Sequence, residues 1–212
     1  MNIQMNIQME ELMQKINKLN INVSENKDYI YYNEIANKEG IRYNYIVNNN
    51  IDINNFSSHS PSCSNLYNVL ETLGINENDS ILDIGSGKGF ALFIFTLFNF
   101  KKIGGVEINK IDYDICQENI NKLELNNKIS IINSDILEFN NFSDYNYFYF
   151  YNPFNEEIFN KIIQIISKLN NSPIIIYKNI HEKDIKILEK NNFKLNKIIK
   201  GKERNYFIYI YI

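Results

Sequence analysis

From Ser80 onward the chain alternates between two hydrophobic periods. Short apolar runs bounded by polar or glycine residues predict strands at Ser80–Ile84, Ile103–Glu107, Ile129–Asn133, Tyr147–Tyr151 and Ile174–Tyr177. Between them lie segments with apolar residues three and four apart. These predict helices at Gly89–Asn99, Lys110–Lys122, Glu156–Ser167 and Glu182–Lys190. Strictly alternating strand and helix imply a parallel sheet with helices on both faces. The end breaks the alternation. Phe193–Ile199, a turn centred on Gly201, and Asn205–Ile212 read as an antiparallel hairpin. Ahead of the first strand, Leu66, Val69, Leu70 and Leu73 mark a helix over Cys63–Leu73, stopped by Gly74.

Residues 1–56 differ in character. They are polar and Asn-rich, and they open with a tandem repeat of Met-Asn-Ile-Gln. Leu12, Ile16 and Leu19 fall on one face of a helix over Met9–Leu19, and strands are expected at Tyr29–Tyr32 and Ile41–Val47. The division drawn from sequence is an extension or lid at 1–56, then one domain at 57–212, joined through the turn-rich Ser57-Ser58-His59-Ser60-Pro61-Ser62.

At 212 residues, 44% of them hydrophobic, the chain can bury a sizeable core. Net charge is −3 and the pI about 5.5, so no strongly basic balance announces nucleic acid. Abundant Asn, Ile, Lys and Tyr with no Trp reflect compositional bias. Two cysteines, Cys63 and Cys116, make neither a disulfide framework nor a zinc site. His59 and His181 are too far apart in sequence to suggest a metal cluster. The start lacks the apolar core of a secretory signal, and the longest apolar stretch, Phe90–Phe98, is too short to cross a bilayer. A soluble, cytoplasmic protein without membrane partners is expected.

The chemistry concentrates at Ile81-Leu82-Asp83-Ile84-Gly85-Ser86-Gly87-Lys88-Gly89-Phe90. A strand, a glycine turn and a helix start form a nucleotide-binding corner. Phe90 stands where the dinucleotide fingerprint needs its last glycine. Leu82 and Gly89 stand where a P-loop needs glycine and a hydroxyl. Glu107 ends the second strand 22 residues after Gly85, the place of a ribose-binding acid.

The spacing Asp-x-Gly-x-Gly-x-Gly, Asp83 to Gly89, resembles motif I of the class I S-adenosylmethionine-dependent methyltransferases. Ser134-Asp135-Ile136 after the third strand resembles the segment whose acid meets the adenine amino group. Tyr151-Asn152-Pro153-Phe154 after the fourth resembles the (Asp/Asn)-Pro-Pro-(Tyr/Phe) motif of enzymes that methylate amino nitrogen, with one proline in place of two. The run Phe148 to Phe154 and Gly-Ser-Gly-Lys-Gly are similar to a small bacterial-type group with Asn-Pro-Phe at this place. The resemblance covers residues 57–212. It implies a doubly wound, mostly parallel, seven-stranded Rossmann-like sheet ending in an antiparallel hairpin, with S-adenosyl-L-methionine as cofactor. It implies cofactor contacts by Asp83, Gly85, Ser86, Gly87, Gly89, Glu107, Ile108, Asp135, Ile136 and Asn152, with Ile108 and Ile136 sandwiching the adenine. Asn152, Pro153 and Phe154 would orient the acceptor, with Tyr151 as a further wall.

Lys88 could face the substrate or a carboxylate, or be a solvated lysine; His59 could be a base on a closing arm or a surface histidine. The acceptor expected first is a nitrogen or oxygen on a small molecule or protein. Adenine in RNA is the alternative, ranked lower on the acidic pI and the lack of an evident added RNA-binding module. A non-catalytic scaffold on the same fold is a third reading. A nicotinamide oxidoreductase is disfavoured by Phe90 and the hairpin.

Overall fold

The computed structural model of the chain describes residues 63–151, 153–201 and 204–212. The expectations for residues 1–62, including the lid, its helix and strands, the 56/57 boundary and His59, lie outside the described residues, as does Asn152.

Seven strands make one sheet: β1 (Ser80–Ile84), β2 (Lys102–Glu107), β3 (Ile129–Asn133), β4 (Tyr147–Phe150), β5 (Ile174–Lys178), β6 (Phe193–Ile199) and β7 (Tyr206–Tyr211). Their order is β3-β2-β1-β4-β5-β7-β6. Strands β1 to β5 run parallel, and β7 is antiparallel to both β5 and β6. The chain leaves β1 toward β2 and β3, then returns to lay β4 on the other side of β1. That reversal opens a crevice beyond the carboxyl ends of β1 and β4, where ligands of such sheets bind.

Period-two alternation decides which side chain meets which layer. Ile81, Tyr147, Tyr149 and Ile176 pack into a cluster with Leu66 and Leu70 of helix α1 (Cys63–Glu71), with helix α2 (Phe90–Phe95), and with Cys116 and Ile120 of helix α3 (Lys110–Lys122). Leu82, Phe148, Phe150 and Ile175 point the other way, against Phe159, Ile162 and Ile166 of helix α4 (Glu156–Ile166) and Leu188 of helix α5 (Glu182–Lys190). While the edge strands β3 and β6 stay largely exposed, both faces of the central strands β1 and β4 are therefore buried. This is why β4 reads Tyr-Phe-Tyr-Phe with no polar alternation.

The differences from expectation are local. Helix α2 stops at Phe95, short of Asn99, because Leu97 and Phe98 donate to the third residue back and Thr96 Oγ donates to the Phe93 carbonyl. Helix α1 ends at Glu71, and β4 ends one residue early, at Phe150. Two 3-10 turns, Ile136–Glu138 and Phe142–Asp144, lie between β3 and β4 without a sequence signal. A bulge between Leu195 and Lys197 interrupts the β6–β7 ladder.

Candidate active site

The glycine loop is fastened to the neighbouring strand. Gly85 and Ser86 N–H groups donate to the Val106 carbonyl at 2.9 and 3.1 Å, and Gly89 N–H donates to Ser86 O at 3.0 Å. Gly85 has φ +81° and Gly89 has φ +89°, a region costly for any residue with a Cβ. Space agrees with torsion. A Cβ on Gly85 would meet Pro153 Cβ at 3.0 Å, and one on Gly89 would overlap Cys116 Sγ. The loop after β4 thus sits directly on the loop after β1, and α3 crowds the start of α2.

Glu107 is buried, and both its oxygens are engaged. Oε2 accepts from Gly87 N–H at 2.7 Å and Oε1 from Asn109 N–H at 2.8 Å. It does not cap the following helix. That task falls to Asn109, whose Oδ1 accepts from Ile111 N–H at 2.9 Å and more weakly from Asp112 N–H. A carboxylate has about four lone-pair sites, so acceptor capacity remains for a ribose hydroxyl. Burial pushes the Glu107 carboxyl upward, against the lowering effect of its N–H donors, and Asp112 adds repulsion. Asp83, fully enclosed at the end of β1, is pushed well above its ordinary range by burial and then by Glu107. The Cys116 thiol is raised by burial and by the same three carboxylates. The corner is a pocket of crowded, buried acids.

Lys88 is only 7% exposed. Its ammonium lies 3.9 Å from Asp112 Oδ1, and its carbonyl accepts from Asn119 Nδ2 at 3.3 Å. Burial lowers the ammonium's pKa and Asp112 opposes this. Of the alternatives, the carboxylate contact is the one found and the solvated lysine is corrected: Lys88 is an internal counter-ion that braces the glycine loop against α3.

The end of β3 is tied to the end of β2. Asn133 Nδ2 donates to Glu107 O at 2.8 Å and to Ile108 O at 3.2 Å, and Ser134 N–H donates to Glu107 O. Asp135 Oδ1 accepts from Leu137 N–H at 2.9 Å, which starts the first 3-10 turn. Of the two isoleucines expected around an adenine ring, Ile108 is 48% exposed at the carboxyl end of β2, whereas Ile136 is 4% exposed, packed with the α4-side cluster. The structure thus offers Ile108 as open apolar surface and uses Ile136 as the wall behind.

Beyond β4, Pro153 abuts Gly85 and Phe154 packs partly into the α4-side cluster. Asn155 Oδ1 caps α4 by accepting from Ile158 N–H at 3.0 Å. Sequence reading missed the cation beside this loop. Lys178, at the carboxyl end of β5, is 2% exposed, with Nζ 4.3 Å from the Tyr151 ring centroid and 5.6 Å from that of Tyr206. Its signal was available: Lys178 keeps the period-two phase of Ile174 and Ile176.

S-adenosylmethionine carries an ammonium, a sulfonium and a ribose diol, and the corner suits all three. Buried acids held above their usual range gain when a cation enters. Glu107 has acceptor capacity left, and the buried Ser86 Oγ has no protein hydrogen bond. Among the described residues no group of three or more His, Cys, Asp or Glu is placed to hold a metal ion, and no helix is long and apolar enough to cross a membrane.

Strand order and corner together are those of the class I S-adenosylmethionine-dependent methyltransferases, the fold class of this chain. It belongs to the ribosomal RNA adenine dimethylase family, whose model matches residues 59–193, from ahead of α1 to the first residue of β6. An rRNA adenine N-6-methyltransferase of Limosilactobacillus reuteri is 39% identical over 71 residues, which is 34% of this chain and 28% of that relative's length. Among solved structures, an RNA methyltransferase from Salinibacter ruber in complex with S-adenosyl-L-homocysteine is similar at TM-score 0.58 and 14% identity, over 72% of this chain and 93% of that one. The B. subtilis M1A22 tRNA methyltransferase TrmK is similar at TM-score 0.55 and 18% identity, over 72% and 65%. At these identities the structural likeness speaks to fold.

Proposed function

We propose that the chain transfers a methyl group from S-adenosylmethionine to the exocyclic nitrogen of an adenine in RNA. The family match over residues 59–193 carries this reading. It reverses the order in which sequence alone ranked the acceptors, where a small molecule or protein stood first.

Bound S-adenosylmethionine supplies a methyl group already activated on a sulfonium. Asp83 receives the ammonium of its amino-acid tail, directly or through water. Glu107 takes the ribose hydroxyls, and Gly85, Ser86, Gly87 and Gly89 let the cofactor approach the backbone. Asp135 accepts from the adenine amino group of the cofactor, and Ile108 and Ile136 bound that ring. The Asn152 side-chain oxygen and a neighbouring backbone carbonyl accept the two hydrogens of the acceptor amine, which aims its lone pair at the methyl. Pro153, seated on Gly85, fixes the distance between acceptor loop and cofactor loop. Phe154 and Tyr151 form walls of the acceptor pocket. Orientation of this kind contributes roughly 7–11 kcal/mol to a bimolecular transfer, which is why no catalytic triad is needed.

The test is incubation of the purified full chain with ribosomal RNA and isotope-labelled S-adenosylmethionine, followed by nucleoside mass spectrometry. Labelled N6-methyladenosine or N6,N6-dimethyladenosine is expected, and an Asn152→Ala variant should keep cofactor affinity while losing about a hundredfold or more in rate. Label appearing only on protein or on small molecules would reject the RNA reading and restore the other acceptor class.

A further inference from the structure

Charge is distributed unevenly along this chain. Residues 193–204 carry Lys194, Lys197, Lys200, Lys202 and Arg204 against the single acid Glu203, so this stretch holds +4 while the rest of the chain holds −7. The acidic pI hides a basic hairpin.

Topology decides where that hairpin ends. β6 runs in the same direction as β1, because it is antiparallel to β7, which is antiparallel to β5. The last β6–β7 pair is Ile199 with Tyr206, so Lys200 and Arg204, just beyond it, lie at the carboxyl rim of the parallel strands, the rim of the active site. The Asn179 N–H donates to Asn205 O at 3.2 Å, which fastens the returning arm of the turn to the residue after Lys178. Lys178 in turn spans from the Tyr206 ring to the Tyr151 ring beside the acceptor loop. Lys200 and Arg204 therefore stand on the acceptor side of the crevice, opposite β2 and β3, and both are exposed.

Lysines on an edge strand often serve only to prevent edge-to-edge pairing. Lys194 and Lys197, within β6, can be explained so. Lys200 and Arg204 cannot, since they lie beyond the last ladder pair and have no ladder edge to guard.

We infer that Lys200 and Arg204, beyond the paired ends of β6 and β7, form a phosphate-binding arm that holds RNA next to the acceptor pocket. The inference rests on the RNA reading above and names the surface that reading needs. Exposed cations of this kind set affinity and salt dependence without reading sequence. They leave the cofactor corner untouched.

The experiment is fluorescence anisotropy of the full chain with a fluorescein-labelled single-stranded oligoribonucleotide of about 20 nucleotides containing unpaired adenines, across a series of salt concentrations. For single strands each neutralised phosphate contributes about −0.7 to the slope of log affinity against log salt. Replacing both cations (Lys200→Ala with Arg204→Ala) should make the slope shallower by about 1.4. It should also raise the KM for RNA while S-adenosylhomocysteine affinity stays at the wild-type value, which reports an intact fold. The reversal Lys200→Glu with Arg204→Glu should weaken binding further. If the wild type binds and methylates RNA but the double variant keeps the wild-type slope, the arm is refuted and the RNA reading stands. If the wild type does not bind the oligoribonucleotide and methylates another acceptor, both fall.

Discussion

Replacing Glu107 by Gln should separate cofactor binding from stability. The carboxylate accepts from Gly87 N–H at 2.7 Å and from Asn109 N–H at 2.8 Å. An amide keeps one of these bonds and turns an NH2 toward the other N–H donor. A hydrogen bond to a charged group is worth about 1.5–3 kcal/mol, so the loop loses about that much. The same change removes a buried charge that is pushed up by burial and by Asp112 and that in turn raises Asp83. The two effects oppose each other. Stability of the cofactor-free protein should shift by no more than about 1 kcal/mol, or about 2–4 °C in Tm for a chain of this size. Nothing offsets the loss in the complex. One ribose hydroxyl faces a donor where it had an acceptor, and S-adenosylhomocysteine should bind about 10–150-fold more weakly. Calorimetric titration with S-adenosylhomocysteine, alongside thermal unfolding of the free protein, reads both quantities. Affinity within about threefold of wild type would refute the ribose role, and a Tm loss beyond about 8 °C would make Glu107 a structural brace of the loop.

The crowded acids also predict a pH dependence. Asp83 and Glu107 have ordinary values of 3.8 and 4.5 and are raised in the folded state, so the native protein holds their protons longer than the unfolded chain does. Their contribution to stability is therefore lost as pH rises from about 4 toward their raised values. Tm followed against pH should fall less steeply over that range in Asp83→Asn, and an unchanged slope would mean the carboxyl is not strained. Gly89→Ala places a Cβ at φ +89° and against Cys116 Sγ; it should cost about 2–4 kcal/mol in chemical denaturation, and Cys116→Ala in the same chain should recover the steric part but not the torsional one. Equal losses in the single and double variants would show that contact with Cys116 is irrelevant. Asn109→Ala removes the cap of α3 and should lower Tm by about 2–4 °C, corresponding to about 1 kcal/mol; no change would mean that water satisfies the Ile111 N–H equally well.

Much of this fold is legible from local pattern. β1, β3, α3, α5 and β6 fall at the predicted residues because each is a short periodic segment bounded by a turn or cap, and period alone assigns its type. The largest slip, at the end of α2, is set by hydrogen bonds that a hydrophobic period does not report. Helix α2 is fully apolar, so hydrophobicity could not say that it turns after Phe95.

The candidate site divides along the same line. Asp83, Glu107 and Asp135 could be placed from sequence because each lies at or just beyond a strand's carboxyl end, and a parallel sheet brings those ends together. Sequence by itself thus determined the strand–helix order and placed the glycine loop and these acids at the carboxyl ends of neighbouring strands. Tertiary structure decided what each group touches. It put Lys88 inside against Asp112, engaged both oxygens of Glu107 with N–H donors, set Pro153 on Gly85 and buried Lys178 between two tyrosine rings. It also carried Lys200 and Arg204 to the acceptor rim. The reason is physical: apart from the Glu107–Asn109 bond, these contacts join residues far apart in the chain, and they exist only once the strand order β3-β2-β1-β4-β5-β7-β6 has brought those residues side by side.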